Sequence, residues 1–290
     1  MVQRRVSMGG SLSPMGSESA VANADLAGIV LAAGAGRRLA PLTDVLTKAL
    51  CPVGGVPLVD LAIGRVAPLV DAVAVNVHHG RERLEPHLRR RADVTVSIEE
   101  RALGTAGGVA RLRPWLDGRA AVVVNADGWT PASIAALTAG WDGSSVRVMV
   151  AGDVELRDDA LVVGCVLPAS RVAMLEQHPS GLFETTWRAA RDEDRLEVVR
   201  FDEVFVDCGT AADYLRANLA AVERAGGSIV ADDVVVGPDA VIERSVVGPG
   251  AHIEGRVVDS VVWAGQSVAA DESLARVIRA GPSTTVAVDD

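Results

Sequence analysis

The sequence predicts an α/β protein with a Rossmann-like, three-layer αβα domain around a mixed, mainly parallel sheet, followed by a short C-terminal left-handed β-helix of hexapeptide repeats. Two observations support this prediction. Short apolar, β-branched runs alternate with helical patterns over most of the chain, which is typical of a doubly wound sheet. Towards the C-terminus an aliphatic residue recurs at about every sixth position with Gly and Pro between, which is typical of stacked solenoid coils.

The elements of the larger domain follow in order from the spacing of apolar residues. Short apolar runs predict strands, and wider helical spacing predicts the segments between them. The predicted strands are 28–32, 72–77, 94–98, 121–125, 146–150, 161–167 and 196–201. The predicted helices are 57–66, 81–91, 106–116, 169–177 and 211–224. We expect a ligand site at the carboxyl ends of the strands, where open α/β sheets bind ligands.

The repeats begin after the pair Gly226 and Gly227. The segment 236–241 is echoed by 247–252 and less closely by 263–268, so about two coils are expected. The predicted organisation is a disordered leader at 1–24, a large α/β domain at 25–226, a β-helix at 227–279 and a disordered tail at 280–290. The leader is rich in Ser, Gly and Met, and the sequence leaves the true start of translation open.

Composition argues against several classes of partner. The net charge of −10 disfavours DNA and RNA, because nucleic-acid binding depends on cationic contacts with phosphates. No stretch approaches the roughly 18 to 20 apolar residues needed to span a bilayer, so we expect no membrane partner. The cysteines Cys51, Cys165 and Cys208 are widely separated and have no metal-site or disulfide spacing. A cytoplasmic location is therefore expected.

Two glycines and two arginines follow the first predicted strand. Gly34 and Gly36 allow backbone amides to approach an anion, and Arg37 and Arg38 offer donors that match phosphate oxygens. Leu39 stands where a dinucleotide-binding fingerprint needs its third glycine, and no G-x-x-x-x-G-K-[ST] sequence is present. The segment predicts a phosphate site of another kind.

Lys48 is the single lysine among the 28 basic residues. In a chain that otherwise uses arginine, its retention indicates a function. A compact ammonium on a flexible stem can follow a phosphoryl group as negative charge develops on it.

Two aspartates follow apolar runs at predicted strand ends. Asp127 follows 121–124, and Asp207 follows 204–206. Carboxylate oxygens are the ligands that Mg²⁺ prefers, with substrate phosphates completing its coordination. The pair is therefore a candidate for a nucleotide-bound magnesium ion.

Together these motifs resemble the signature of the sugar-1-phosphate nucleotidyltransferases, which include mannose-1-phosphate guanylyltransferases and glucose-1-phosphate adenylyl-, uridylyl- and thymidylyltransferases. The matching segments are 34–43, Lys48, 52–53, 103–108, 124–127 and 206–210. Their order and spacing cover residues 26 to about 220, and the hexapeptide tail is similar to that of several family members.

The resemblance implies that a phosphate oxygen of a sugar 1-phosphate attacks the α-phosphorus of a nucleoside triphosphate and that pyrophosphate leaves. It implies that Arg38 binds the departing phosphates and that Lys48 binds the α-phosphate. It implies that Asp127 and Asp207 hold Mg²⁺. The implied nucleotide-binding residues are Leu31, Ala32, Ala33, Gly34, Gly36, Gly104 and Thr105.

The sugar side departs from the family pattern. Many relatives carry a Glu-Lys-Pro segment whose lysine holds the sugar phosphate, and residues 151–163 contain no lysine. Arg157 or Arg188 is a candidate replacement, Gly164 resembles the family glycine that lies against the sugar, and Glu184 is a candidate sugar contact.

Several functions remain open at this stage. The hexapeptide tail favours GTP with mannose 1-phosphate or a related hexose. The segment 124–130 is similar to N-acetylmuramate-1-phosphate uridylyltransferases and favours UTP with an amino-sugar 1-phosphate. A different class is a catalytically silent subunit that binds a nucleotide sugar and regulates a partner, and a third is an acyltransferase module in the tail. We expect the tail to support a homo-oligomer.

Overall fold

The computed structural model describes residues 25–152 and 160–289. The predicted leader, residues 1–24, and the candidate residue Arg157 lie outside these ranges. Within the two ranges, no helix is long and apolar enough to cross a membrane.

The larger domain is built on a seven-stranded sheet. Its strands, with four short ones outside the main sheet, are β1 (Leu26–Leu31), β2 (Pro52–Val53), β3 (Val56–Pro57), β4 (Val73–Val77), β5 (Val94–Ile98), β6 (Ala120–Asn125), β7 (Gly128–Trp129), β8 (Val146–Ala151), β9 (Leu161–Leu167), β10 (Leu196–Phe201) and β11 (Val206–Asp207). The order is β10-β8-β9-β6-β1-β4-β5, and only β9 runs antiparallel to its neighbours. The prediction of a mixed, mainly parallel sheet is confirmed.

The helices of the larger domain are α1 (Leu42–Val45), α2 (Leu58–Val66), α3 (Arg81–Leu88), α4 (Gly104–Arg111), α5 (Arg113–Leu116), α6 (Ala169–Met174), α7 (Arg188–Asp192) and α8 (Ala211–Ala225). Helices such as α2 and α4 cover the two faces of the sheet, whereas α1 and α8 pack towards the repeat region. Neighbouring residues of β1 face opposite layers: Val30 packs in one buried cluster with Ile63 of α2, and Ile29 packs in the other with Val109 of α4. This alternation follows from the two-residue period of a strand.

One predicted helix differs from the structure. The pattern at 106–116 predicts one helix, whereas α4 begins at Gly104 and a separate short helix, α5, follows Leu112. Pro114 lies in the first turn of α5, where its missing N–H is tolerated. In a continuous helix the same proline would remove a hydrogen bond, so the break falls just before it.

The C-terminal repeat region forms three short sheets of parallel strands. Its strands are β12 (Ile229–Val230), β13 (Val235–Val236), β14 (Val241–Glu243), β15 (Val246–Val247), β16 (His252–Ile253), β17 (Arg256–Val258), β18 (Val261–Val262), β19 (Ser267–Val268), β20 (Ser273–Ala275), β21 (Val277–Gly281) and β22 (Thr284–Ala287). Equivalent strands recur every 15 to 17 residues, as β12, β15, β18 and β21 do. The arrangement is compatible with a β-helix that extends beyond the two predicted coils.

Stacked serines join successive layers of the repeat region. The amide of Ser245 donates to Oγ of Ser228 at 3.2 Å, and the amide of Ser260 donates to Oγ of Ser245 at 3.0 Å. Val277 continues the series by donating to Oγ of Ser260 at 3.0 Å. Both Ser245 and Ser260 are fully buried, so these bonds satisfy backbone groups that water cannot reach.

The C-terminal segment corrects a prediction. Disorder was expected at 280–290, but Thr284–Ala287 form β22, which pairs antiparallel with β21. Thr and Val are favourable in strands, and β21 offers an edge whose backbone groups would otherwise lack partners.

The repeat region packs against the larger domain around Tyr214 of α8. Trp263 donates from Nε1 to the Tyr214 hydroxyl at 3.0 Å, and that hydroxyl donates to the carbonyl of Pro52. One buried cluster contains Leu39 and Leu42 together with Trp263, Tyr214 and Ile278. The loop after β1 therefore rests on a core that the repeat region helps to build.

Candidate active site

The glycine-bearing loop after β1 has one position that requires glycine. Gly36 has a φ of 63°, and a Cβ there would lie 2.9 Å from Cβ of Lys48 and 3.0 Å from Cγ2 of Thr43. Gly34 has open space around it, so its role in folding is weaker. The loop turns tightly at Gly36, which brings Lys48 close to the end of β1.

Lys48 lies between the two aspartates that the sequence singled out. Its Nζ is 2.6 Å from Oδ2 of Asp127 and 3.8 Å from Oδ1 of Asp207. The Lys48 side chain is only 11% exposed, whereas that of Arg38 is 73% exposed and lies 3.7 Å from Asp207. The structure thus brings together all four residues predicted to act on phosphate and metal.

Strand pairing explains why the two carboxylates meet. Asp207 of β11 is registered opposite Gly128 of β7, and the amide of Cys208 donates to the carbonyl of Asp127 at 3.0 Å. Residues separated by 80 positions are therefore held on one small two-stranded sheet at the carboxyl end of β6.

The carboxylate pair has the properties of a cation site. Burial and the neighbouring charge of Asp127 raise the pKa of Asp207 above its usual range, and its Oδ1 is buried without a hydrogen-bond partner. A divalent ion would relieve both conditions. No group of three or more His, Cys, Asp or Glu suited to a metal occurs in the described ranges. A metal on Asp127 and Asp207 would thus take its other ligands from water or substrate.

A cavity of about 360 Å³ opens beside Lys48 at the ends of β1, β4 and β6. It is lined by Leu31, Ala32, Ala33, Gly34, Ala35, Lys48, Ala49, Asn76, His79, Ala102, Gly104, Thr105, Asn125, Ala126 and Asp127. Six of the seven predicted nucleotide-binding residues are in this lining, and the seventh, Gly36, instead contacts the Lys48 side chain. Much of the lining is backbone or small side chains, which allows a flat or anionic ligand to approach closely.

The loop at 104–105, which forms a second wall of this cavity, also has a position that requires glycine. Gly104 has a φ of 69°, and a Cβ there would lie 2.4 Å from the carbonyl oxygen of Ser180. Thr105 accepts a hydrogen bond from the amide of Leu182 at 2.8 Å. The Thr105 hydroxyl therefore holds the loop in place, and its neighbouring backbone faces the cavity.

A buried polar network behind this cavity was not found from the sequence. Asn76 accepts a hydrogen bond from the amide of Ala32 at 2.7 Å and donates to Glu99 at 2.7 Å. The other oxygen of Glu99 accepts from the amide of Leu103 at 3.1 Å. Asn76 and Glu99 are 1% and 2% exposed, so the network links the two cavity walls in a water-free interior. Neither residue belongs to a motif that points to this role.

A second cavity of about 210 Å³ lies on the other side of Asp127. It is lined by Asn125, Asp127, Gly128, Ala160, Leu161, Val162, Val163, Trp187, Phe205 and Asp207. Asn125 and Asp127 line both cavities, so the two spaces meet at the carboxylates. The apolar walls contributed by Trp187 and Phe205 were not predicted as ligand contacts.

The three weaker sugar-side predictions fall outside this lining. Gly164 is buried within β9, where a Cβ would lie 3.1 Å from the carbonyl oxygen of Val123. Glu184 is exposed, and Arg188 stacks its guanidinium 5.3 Å from the ring centroid of Phe183. Among the described residues, Trp187 rather than its neighbours in sequence faces the second cavity.

Arg65 of α2 lies beneath the turn that carries Asp127. Its Nη1 donates to the carbonyl of Gly128 at 2.6 Å, and its Nη2 donates to the carbonyl of Asn125 at 3.4 Å. Burial lowers the pKa of Arg65 to about 10, against the opposing attraction of Cys208 and Asp127. The guanidinium remains charged at neutral pH.

Comparison with known proteins agrees with this geometry. The family model for the MobA-like NTP transferase domain matches residues 28–193. The chain is 36% identical over 159 residues to N-acetylmuramate alpha-1-phosphate uridylyltransferase of Caulobacter vibrioides, across 46% of this chain and 66% of the relative. It is 36% identical over 104 residues to the bifunctional protein GlmU of Listeria welshimeri, across 36% of this chain and 22% of the relative. The chain thus spans less than two thirds of these curated relatives.

A solved structure shares the fold. The protein, from Bacillus anthracis and named as a glucose-1-phosphate thymidylyltransferase, superposes with a TM-score of 0.58 over 68% of this chain and 95% of its own. The sequence identity is 17%, so the similarity concerns the fold alone. The family match covers more than half of the chain and includes Lys48 and Asp127. This chain therefore belongs to the MobA-like NTP transferase family, within the sugar-1-phosphate nucleotidyltransferase superfamily that its motifs resemble.

Proposed function

We propose that this protein transfers a nucleotidyl group from a nucleoside triphosphate to a sugar 1-phosphate, forming a nucleoside diphosphate sugar and pyrophosphate. The observation that carries this proposal is the position of Lys48, Asp127 and Asp207 where two cavities meet. A transfer between two substrates requires them to approach each other from opposite sides of one charged centre. The larger cavity suits the nucleotide, and the smaller suits the sugar.

The reaction needs positioning and neutralisation of charge more than proton transfer. The attacking oxygen belongs to a phosphate that is already anionic, so no general base is required. In this proposal Lys48 binds the α-phosphate, where negative charge increases during displacement. The exposed Arg38 is free to turn towards the departing β- and γ-phosphates.

The nucleotide is proposed to lie along the glycine-bearing loops. Leu31, Ala32, Ala33 and Gly34 would contact the nucleoside and phosphates, and Gly36 would keep the loop close to Lys48. Gly104 and Thr105 would face the base. Most of these contacts would come from the backbone. Such contacts can bind a nucleotide, but they do not select its base.

Asp127 and Asp207 are proposed to hold Mg²⁺, because the unpartnered Oδ1 of Asp207 and the repulsion between the carboxylates both fit a hard cation. Bound there, the ion would neutralise the phosphate oxygens. Lys48 would meanwhile orient both carboxylates, because its Nζ lies 2.6 Å from Asp127 and 3.8 Å from Asp207.

Two substrate pairs are proposed for testing. The predicted hexapeptide repeats favour GTP with mannose 1-phosphate or a related hexose. The 36% identity to the Caulobacter uridylyltransferase favours UTP with an amino-sugar 1-phosphate such as N-acetylmuramate 1-phosphate. The apolar walls of the second cavity, Trp187 and Phe205, add support for a sugar with an apolar substituent. Gly164, Glu184 and Arg188 remain proposed sugar-side residues.

The repeat region is proposed to be a left-handed β-helix with a role in homo-oligomer formation. Parallel strands recur in register through β12, β15, β18 and β21, which supports a solenoid. Val235 and Val236 on its first coil are 55% and 49% exposed, which supports an additional contact at that end. We propose a cytoplasmic location, in keeping with three reduced, buried cysteines.

The function is tested by measuring pyrophosphate release with Mg²⁺, for the four ribonucleotides and dTTP crossed with a panel of sugar 1-phosphates. Release with one pair is expected and identifies both substrates. Tight binding of a nucleotide sugar without release from any pair would contradict the enzymatic proposal and favour a regulatory subunit. Arg81→Ala provides a matched control, because Arg81 pairs with Glu85 on α3 outside both cavities.

A further inference from the structure

We infer that Arg65 is a positioning residue that fixes the metal-binding geometry of Asp127 by clamping the turn around it. The effect of Arg65 on catalysis rests on the proposed function, whereas its effect on the geometry of the turn 125–128 does not. Arg65 itself is in neither cavity lining, and its effect passes through the backbone carbonyls of Asn125 and Gly128, which are lining residues.

The clamp joins the residues on both sides of Asp127. Nη1 of Arg65 donates to the carbonyl of Gly128 at 2.6 Å and Nη2 donates to that of Asn125 at 3.4 Å. A guanidinium presents its donors in a rigid fork, so holding two carbonyls restricts the orientation of the turn between them. The first bond is short and charge-assisted, which makes it the stronger of the two.

Other contacts hold the same turn from β1 and from Lys48: the amide of Ala126 donates to the carbonyl of Leu31 at 2.9 Å, and Nζ of Lys48 lies 2.6 Å from Oδ2 of Asp127. In addition, the amide of Cys208 donates to the carbonyl of Asp127 at 3.0 Å and β11 pairs with β7. Together, Arg65 and Cys208 hold the backbone carbonyls of Asn125, Asp127 and Gly128. A Cβ at Gly128 would lie 2.7 Å from the ring of Phe205, so a larger residue there would have to displace that ring.

Burying the Arg65 guanidinium at this point costs free energy, which indicates that the residue has a role there. Nε of Arg65 is buried without a hydrogen-bond partner, although an aliphatic side chain of similar length would fill the same space without that penalty. Its charge interacts favourably with the carboxylate of Asp127. The position therefore suits a cation that orients the turn by holding its carbonyls and lies near the negative charge of Asp127.

The test compares Arg65→Lys with wild type, because lysine keeps the charge and removes the fork. Mn²⁺ binding is measured by electron paramagnetic resonance, as a stand-in for Mg²⁺, on full-length protein with and without a nonhydrolysable nucleotide. We expect about 10-fold weaker Mn²⁺ binding, with the melting temperature changed by only a few degrees. With an active substrate pair, kcat should fall while the KM of each substrate changes less than about 2-fold.

Arg147→Lys is the matched control. Arg147 is buried and, like Arg65, donates to backbone carbonyls, those of Ala139 at 2.7 Å and Gly140 at 3.2 Å; it also pairs with Glu197 at 2.7 Å and lies at the start of β8, outside both cavity linings. We expect it to lose stability and keep wild-type Mn²⁺ affinity.

Three outcomes would overturn the inference. One is Arg65→Lys binding Mn²⁺ as wild type does. Another is Arg147→Lys weakening Mn²⁺ binding equally, which would mean a general loss of structure. The third is a selective rise in KM for the sugar 1-phosphate, which would make Arg65 a substrate contact. Because Mn²⁺ binding is measured without turnover, absence of pyrophosphate release would contradict the proposed function and leave this result interpretable.

Discussion

The two cavities that meet at Asp127 are built in different ways. The larger one is lined mainly by backbone and small residues from two glycine-bearing loops, and it contains six of the predicted nucleotide-binding residues. The smaller one has apolar side-chain walls, including Trp187 and Phe205, and contains none of the three predicted sugar-side residues. Backbone sites require glycine at fixed places and leave a motif in the sequence, whereas side-chain walls drawn from distant segments leave none.

The largest expected effect concerns Lys48, on the nucleotide side. Lys48→Ala should lower kcat by at least about 100-fold, because it removes the single lysine of the sequence, which we propose binds the α-phosphate, and the melting temperature should change by only a few degrees. Lys48→Arg should recover little of this activity. The Lys48 side chain is only 11% exposed and lies between two carboxylates, and the larger guanidinium does not fit in that space. Pyrophosphate release and thermal unfolding measure both. Full turnover in Lys48→Ala would remove this residue from the mechanism.

The next effect concerns Asp207, which lies where the two cavities meet, and it separates catalytic activity from stability. Asp207→Asn should reduce kcat by about 100-fold at fixed Mg²⁺, yet raise the metal-free melting temperature by about 1 to 3 °C. The raised pKa of Asp207 means that burial and Asp127 disfavour its charged form, so removing the charge should stabilise the metal-free protein. The expected rise in melting temperature is small because the Asp207 side chain is 40% exposed and solvent screens its charge.

Asp60→Asn is the control for that change. Asp60 is paired with His87 at 2.7 Å and Arg91 at 3.3 Å, outside the cleft. Removing its charge should lower stability slightly and leave kcat unchanged. If Asp207→Asn instead lowered the metal-free melting temperature, the idea of a strained carboxylate pair would be wrong.

A smaller effect should appear on the sugar side alone. Phe205→Ala should raise the KM of the sugar 1-phosphate by about 10-fold and leave the KM of the nucleotide within about 2-fold, because Phe205 lines only the smaller cavity. Phe183→Ala is the control, since Phe183 stacks with Trp187 and Arg188 but is absent from the lining. Equal increases in both KM values would contradict the assignment of the two cavities.

The smallest effect concerns a buried thiol and pH. Burial raises the pKa of Cys165 from 9.0 to about 12, and Cys165 lies in β9 next to Gly164. A raised folded pKa means that the contribution to stability is complete below pH 9 and is lost as pH rises from about 9 towards 12. The difference in unfolding free energy between wild type and Cys165→Ala should therefore shrink by about 1 kcal/mol from pH 8 to pH 10. Urea unfolding at both pH values measures it, and a constant difference would show that the thiol ionises equally in both states.

The sequence was a good guide to the sheet. All seven predicted strands of the main sheet are present, and 94–98, 161–167 and 196–201 have the predicted bounds. Strand β9 is a nearly continuous apolar run, and the edge strands β5 and β10 mix apolar with polar residues; in each case the pattern that marks the strand is local to its segment. Helix ends were less accurate: 169–177 was predicted, but α6 ends at Met174, because capping and packing on neighbours decide where a helix stops.

The sequence by itself determined the family, the parallel α/β core and the charged residues that face one another in the cleft. The family followed from the resemblance of the motifs, whereas the core and the charged residues follow from local rules: apolar period, glycine at tight turns and carboxylates at strand ends. Only the tertiary structure decided that Asn76 and Glu99 join the cavity walls, that Phe205 lines the second cavity, and that Arg65 supports the turn of Asp127. These contacts join residues that are far apart in the chain, and no spacing within a single segment encodes which distant side chain fills a given space.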